Sequence, residues 1–288
     1  MSQLRDIPLS RAAQALARST GPAGAESRHR IGRAFAPRIG TALIVLALLG
    51  LLQAAGELSV GGIGILPTTT QVLGSFPSVL SDPATYSAIE ATLASWSIGF
   101  GIAVVGGIAI GLLVGLSKFT SRSTTGLFDF LRSTPAVAFI PMAELILGIG
   151  LSFKVTIIVV TCIWVMLLQT TAGLRSVDAL ALESAKSLHM SRSQRIRWVL
   201  IPTALPYLLT GMRLAAVNAF LASIGVELLA SAPGIGREIM FRQLGGAAAE
   251  MWDLVVIAAV LGVLVSLVFT RIESVILRWH VSQRDRLA

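Results

Sequence analysis

Few residues in this chain could do chemistry, and their positions narrow what that chemistry is. The three histidines, His29, His189 and His280, and the single cysteine, Cys162, are scattered along the chain. They cannot build a disulfide framework, a cysteine-rich metal site or a buried nucleophile–base pair. No G-x-x-x-x-G-K-[ST] stretch occurs, so the chain has no phosphate-cradling loop of its own. What remains are polar groups set in apolar surroundings: Glu144, Asn218 and Glu227, with Arg213 nearby. An acid in such a setting is costly and ordinarily faces a cavity or a partner. Two readings stand for Glu144: it lines a solute path, or it makes an interhelical hydrogen bond as the neutral acid. Glu227 has two as well, a place on the path or contact with interfacial water near the end of its apolar stretch.

A second group of polar residues lies between two long apolar stretches, in the Arg-rich island 180–206. Asp178 can cap a short helix ending near Leu188, with Leu182, Ala185 and Leu188 on one face. Ser191 and Gln194 form the pattern of a capping box for a second helix carrying Ile196, Val199 and Leu200. Ile201-Pro202 is expected to stop that helix, because proline lacks a donor and restricts its predecessor. Two helices this short are not stable alone in water. The pair therefore needs a partner surface.

The elements around these residues belong in a bilayer. The chain of 288 residues is 54% apolar and 13% charged, against about 25% charged in soluble domains. Apolar stretches near 39–55, 88–116, 128–148, 153–171, 204–229 and 254–269 predict six transmembrane helices in one all-α integral membrane domain, 39–271. Val72, Leu73, Phe76, Val79 and Leu80 recur at helical spacing before the second span, as an amphipathic helix on the membrane surface would. Gly107, Gly111 and Gly115, four apart, form a smooth stripe for close helix packing. Pro135 and Pro141 predict a kinked third span, with Asp129 and Arg132 paired at its entrance. The net charge of +8 does not indicate nucleic acid. Apart from Lys154, Arg237 and Arg242 in the other loops and Arg213 in a span, every Lys and Arg lies in the tails or in the two loops on one side. That bias predicts a cytoplasmic tail 1–38, a cytoplasmic loop 172–203 and a cytoplasmic tail 272–288. The N-terminal tail carries seven arginines and no apolar core of a cleaved signal, so it is expected to stay and to touch anionic lipid.

The loop resembles the EAA loop of binding-protein-dependent ABC importer permeases. Glu183-Ser184-Ala185 stands at the family's triplet and Val199-Leu200-Ile201-Pro202 at its end. Counterparts continue through Arg132-Ser133-Thr134-Pro135, Gly148-Ile149-Gly150, Leu205-Pro206-Tyr207, Thr210-Gly211-Met212-Arg213, Glu227 and Gly234-Ile235-Gly236. They are most similar to the branch serving sulfonates, taurine, nitrate and vitamin precursors. His189 stands where the family has a glycine with positive φ between the two helices; His tolerates that geometry better than β-branched residues do. The resemblance implies a permease of the type I importer fold. Its coupling residues are Glu183, Ser184, Ala185, His189, Arg192 and Pro202. The implied partners are a cytoplasmic ABC ATPase dimer holding ATP and Mg, a second, identical permease subunit, and an extracytoplasmic binding protein that delivers a small solute. For His189 a pH-sensing role competes with a purely geometric one. Arg192, Arg195 and Arg197 either contact the ATPase or hold the loop at the lipid surface.

Two rivals belong to other classes. A secondary transporter would use Glu144 or Glu227 as a proton site, but leaves the paired short helices without a purpose. A membrane-embedded enzyme lacks a cluster of reactive groups within the spans.

Overall fold

The computed structural model describes residues 67–115 and 133–278, together with positions 47, 50, 53, 54, 56, 57, 126, 128 and 130. The chain divides into two compact units, 1–69 and 70–288. In the first, the six described positions between 47 and 57 are helical, and Gln53 Nε2 donates to Glu57 Oε1 at 2.6 Å, one turn on. Most of the expected first span 39–55, the entrance pair Asp129 and Arg132 and residues 279–288 of the expected C-terminal tail lie outside the described residues, whereas 272–276 of that tail are helical.

In the second unit every regular element is a helix among the described residues. Helix α1 is Thr69–Ser81, and Asp82 accepts from the Ala84 N–H at 2.9 Å to open α2, Pro83–Gly115. A 3-10 turn Ala136–Phe139 leads into α3, Ile140–Leu147, which Gly148 ends with φ 67°. Helix α4 spans Leu151–Arg175, and two short helices follow, α5 (Ala179–Ser187) and α6 (Arg192–Arg195). A π-type turn Ile196–Leu200 joins α6 to α7, Ile201–Leu229. Helices α8 (Ile235–Leu244) and α9 (Ala248–Ile276) complete the unit. Among the described residues four helical runs are long and apolar enough to cross a membrane: α2, α4, the run Arg192–Leu229 and α9. The third predicted span contains the shorter apolar run Ala136–Leu147, broken where Pro135 and Pro141 fall.

Helix α4 is the centre of the bundle, packed between α2 and α7. Residues four apart on α2 (Ser95, Gly99, Ala103, Gly107 and Gly111) are all buried. A Cβ on Gly111 would stand 2.6 Å from Thr170 Cβ, and one on Gly99 2.6 Å from Ile158 Cγ2. On Gly107 and Gly115 it would meet Met166 and Leu174. The stripe thus serves α4 of the same chain, where absent side chains let two backbones close up and gain dispersion contacts. Ala103, Ile158, Cys162, Met166, Ala215 and Ala219 fill the space between α2, α4 and α7. At the end remote from α5, a second cluster (Val79, Ala88, Ile235, Ile239, Leu254 and Ala258) joins α1, α2, α8 and α9.

Two expectations are corrected here. Pro202 does not stop the chain's helix: Ile201 N–H reaches Ile196 O, five residues back, and α7 starts with the proline in its first turn. The wider π turn relieves the clash of a proline ring with the carbonyl four residues earlier, and the first turn needs no donor from it. Residues 235–244, expected as a Gly-rich loop, form α8, because Ile235 and Ile239 are buried against the bundle while Phe241 and Leu244 remain outside.

Candidate functional site

The α5–α6 pair is built by local hydrogen bonds. Asp178 Oδ1 accepts from Leu180 N–H at 2.9 Å, satisfying a free donor at the start of α5. At its end, Met190 N–H bonds Ala185 O at 3.1 Å and His189 N–H bonds Lys186 O at 2.9 Å. These are the two bonds of a Schellman closure, with His189 in the left-handed position at φ 55°. Ser191 and Gln194 then cap α6 reciprocally: Ser191 N–H donates to Gln194 Oε1 at 2.8 Å, and Gln194 N–H to Ser191 Oγ at 3.3 Å. Ala185 is buried and Leu182 half-buried. Leu188, expected on the same inner face, is 75% exposed, because the left-handed turn after it carries it past the end of the packed face. Glu183, Ser184 and Arg192 are exposed, as are Leu180, Ile196 and Trp198, with the Arg197 guanidinium over the Trp198 ring. Pro202 is half-buried. The outcome is a rigid turn whose outer surface combines an acid with large apolar side chains.

Behind it, between α4 and α7, opens a cleft of about 500 Å³ lined by Gln169, Ser176, Thr203, Pro206, Tyr207 and Thr210. None of Glu144, Asn218 and Glu227 is among those lining residues. Glu144 is half-buried on α3 and Asn218 is exposed on α7. Arg213 pairs with Glu273 of α9 at 3.4 Å, and Thr210 Oγ1 donates to the same carboxylate at 3.0 Å.

Glu227 lies in the interior of this chain. Its side chain is fully buried, at the far end of α7 from the cleft. Its Oε1 lies 2.6 Å from Lys154 Nζ and accepts from Ser223 at 3.2 Å; its Oε2 accepts from Thr92 Oγ1 at 2.9 Å and Gly236 N–H at 3.0 Å. Lys154, expected in an exposed turn, is 2% exposed, and its ammonium also donates to Pro233 O at 2.7 Å and Ala91 O at 3.0 Å. Both charges are therefore neutralised and fully hydrogen-bonded, which makes their burial tolerable. Sequence spacing offered no signal for this pair; the nearest hint was two opposite charges, each beside the same end of an apolar stretch. Also unforeseen were Asp253, buried with Ser75 Oγ at 2.5 Å, and Arg242, which bridges Asp82 at 2.6 Å and Glu250.

The described residues thus form a bundle of long apolar helices with an exposed, capped helix pair at one end. The model of the family described as binding-protein-dependent transport system inner membrane component matches residues 103–279, and the chain belongs to that family. It is a permease component of ABC import systems and a multi-pass membrane protein. A nitrate import permease protein of Synechocystis is 29% identical over 248 residues, covering 83% of this chain and 88% of the relative. An aliphatic sulfonates transport permease protein of Bacillus subtilis is 28% identical over 240 residues, covering 83% and 87%. The taurine transport system permease protein of Escherichia coli is 28% identical over 176 residues, covering 59% and 64%. Among solved structures, the MetNI methionine ABC transporter in an inward-facing conformation aligns with TM-score 0.58 and 21% identity over 68% of this chain and 98% of that one. An amino acid ABC transporter with histidines aligns with TM-score 0.55 and 20% identity over 68% and 94%. Those two likenesses concern the fold.

Proposed function

We propose that this chain forms the translocation path of an ATP-driven importer and couples it to a separate cytoplasmic ATPase dimer through the loop 172–203. The observation that carries the reading is the Schellman-closed α5–α6 pair around His189, which leaves Glu183, Leu180 and Leu188 exposed on a turn held rigid from within. Glu183, Ser184 and Arg192 face the ATPase; Ala185, His189 and Pro202 shape the turn that presents them. ATP and Mg bind the partner, and hydrolysis happens there. Two identical permease subunits, six spans each, place their tails and coupling loops in the cytoplasm. A binding protein on the other side delivers the solute.

Relatives named for nitrate, aliphatic sulfonates and taurine support a small solute as the cargo. A path-facing, ionised Glu144 would favour a cargo other than a simple inorganic anion. Two like charges about 4 Å apart oppose each other by roughly 4 kcal/mol at an effective dielectric near 20. A carrier would use Glu144 or Glu227 as its proton site, and the Glu227 carboxylate already receives Lys154 and three further donors.

The test is purification of the tagged chain from its own membranes. An ABC ATPase is expected to accompany it, and uptake into vesicles is expected to require ATP. Uptake driven by a pH gradient with no ATPase present would overturn the reading.

A further inference from the structure

The Lys154–Glu227 pair lies far from the coupling loop, at the opposite end of α7, and the transport reading gives it no task. Its bonds point at one place. The turn 230–236 between α7 and α8 holds Ser231 at φ 51° and Gly234 at φ 152°, conformations that need external support. Three of its backbone groups are taken by side chains from three different helices: Pro233 O by Lys154 of α4, Ile235 N–H by Thr92 of α2 at 2.9 Å, and Gly236 N–H by Glu227 of α7. The two N–H groups are orphan donors of the first turn of α8, and the carboxylate also meets the positive end of that helix. The backbone is wrapped around the carboxyl group itself. A Cβ on Gly234 would overlap the Glu227 carboxyl, and one on Gly236 would stand 2.6 Å from Ile224 O.

We propose that Lys154, Glu227 and Thr92 are positioning residues for transport: they fix α8 as a rigid extension of α7. Movement imposed on α7 at the coupling loop is thereby delivered to α8 at the far end. The proposal rests on the coupling reading above. Helix α7 supplies the lever, with 29 residues and a length of about 44 Å at 1.5 Å per residue. Stability alone does not call for such a pair, since packed apolar side chains commonly replace a buried ion pair without loss. What they cannot replace is the set of directed bonds to Pro233, Ile235 and Gly236.

The experiment uses the complex with its ATPase, trapped with ATP and vanadate, and spin labels read the distance between the two permease copies. One label replaces the exposed Leu221 on α7, the other the exposed Leu244 on α8; the native Cys162 is buried. In the otherwise wild-type complex both distances are expected to shift on trapping. In Lys154→Met/Glu227→Met the α7 distance shifts as before, whereas the α8 distance broadens and loses its shift. An α8 shift equal to wild type in that variant overturns the proposal. Should the double variant not assemble, Thr92→Val decides. It removes the bonds to Ile235 and Glu227 and keeps the ion pair, so a broadened α8 distance restored by Thr92→Ser is expected, and an unbroadened one overturns the proposal. If the α7 label fails to move in the wild-type complex, the coupling reading itself fails and takes this inference with it.

Discussion

Gly236 has no side chain where Glu227 has one: a Cβ on Gly236 would lie 2.7 Å from the Glu227 Cβ. A sequence motif, Gly234-Ile235-Gly236, and an acid on the preceding helix are thus parts of one packed object. Gly236→Ala should lower stability by about 1–3 kcal/mol, as overpacking of a closed interior does. Thermal unfolding of the purified protein in detergent measures this, and an unchanged midpoint would contradict the contact.

Removing one partner of a buried pair costs more than removing both. Lys154→Met alone should destabilise by about 3–5 kcal/mol, because it strands an unpaired carboxylate away from water. Lys154→Met/Glu227→Met should recover most of that loss. A double variant no more stable than the single one would mean that the pair's hydrogen bonds to the turn outweigh its charge balance.

Glu183→Ala should leave the chain folded and inserted, since the side chain is exposed on α5. Uptake and substrate-stimulated ATP hydrolysis should fall together. Normal uptake in cells carrying only the variant would remove Glu183 from the coupling surface.

Gly111→Leu should disrupt the subunit itself. The new side chain would be driven into Thr170, where even a Cβ stands 2.6 Å from Thr170 Cβ. The yield of monodisperse protein is the readout, and a wild-type yield would place the stripe elsewhere. The left-handed turn predicts the opposite sign for one change. His189→Gly should be neutral or stabilising, whereas His189→Val should be destabilising, because a β-branched side chain tolerates φ 55° less well than His does.

Glu144→Gln keeps size and hydrogen bonding and removes the charge. If the carboxylate faces the path, uptake changes in a way that depends on the charge of the cargo. Equal uptake of anionic and neutral solutes by variant and wild type, at every pH, would make Glu144 an interhelical hydrogen-bonding residue.

Much of the molecule was legible because its causes are local. Asp178, Ser191 and Gln194 cap helices through residues within one turn, and His189 bends the chain where a glycine was expected, so a short window of sequence contains the whole interaction. Long apolar runs likewise announce α2, α4, α7 and α9, because burial of backbone polar groups in a bilayer leaves few alternatives to helix. Three features were decided only by the tertiary structure. Lys154 read as a cation in an outer turn until α4 extended far enough to bury it beside Glu227. Residues 235–244 read as a loop because their polar composition hides the two isoleucines that dock on the bundle. Pro202 read as a stop because the bond from Ile201 N–H to Ile196 O, which widens the turn ahead of it, leaves no mark in the residue types. For Lys154 and for residues 235–244 the deciding contact joins segments far apart in the chain, and the free energy of a buried ion pair or a docked helix resides in the partner that closes over it.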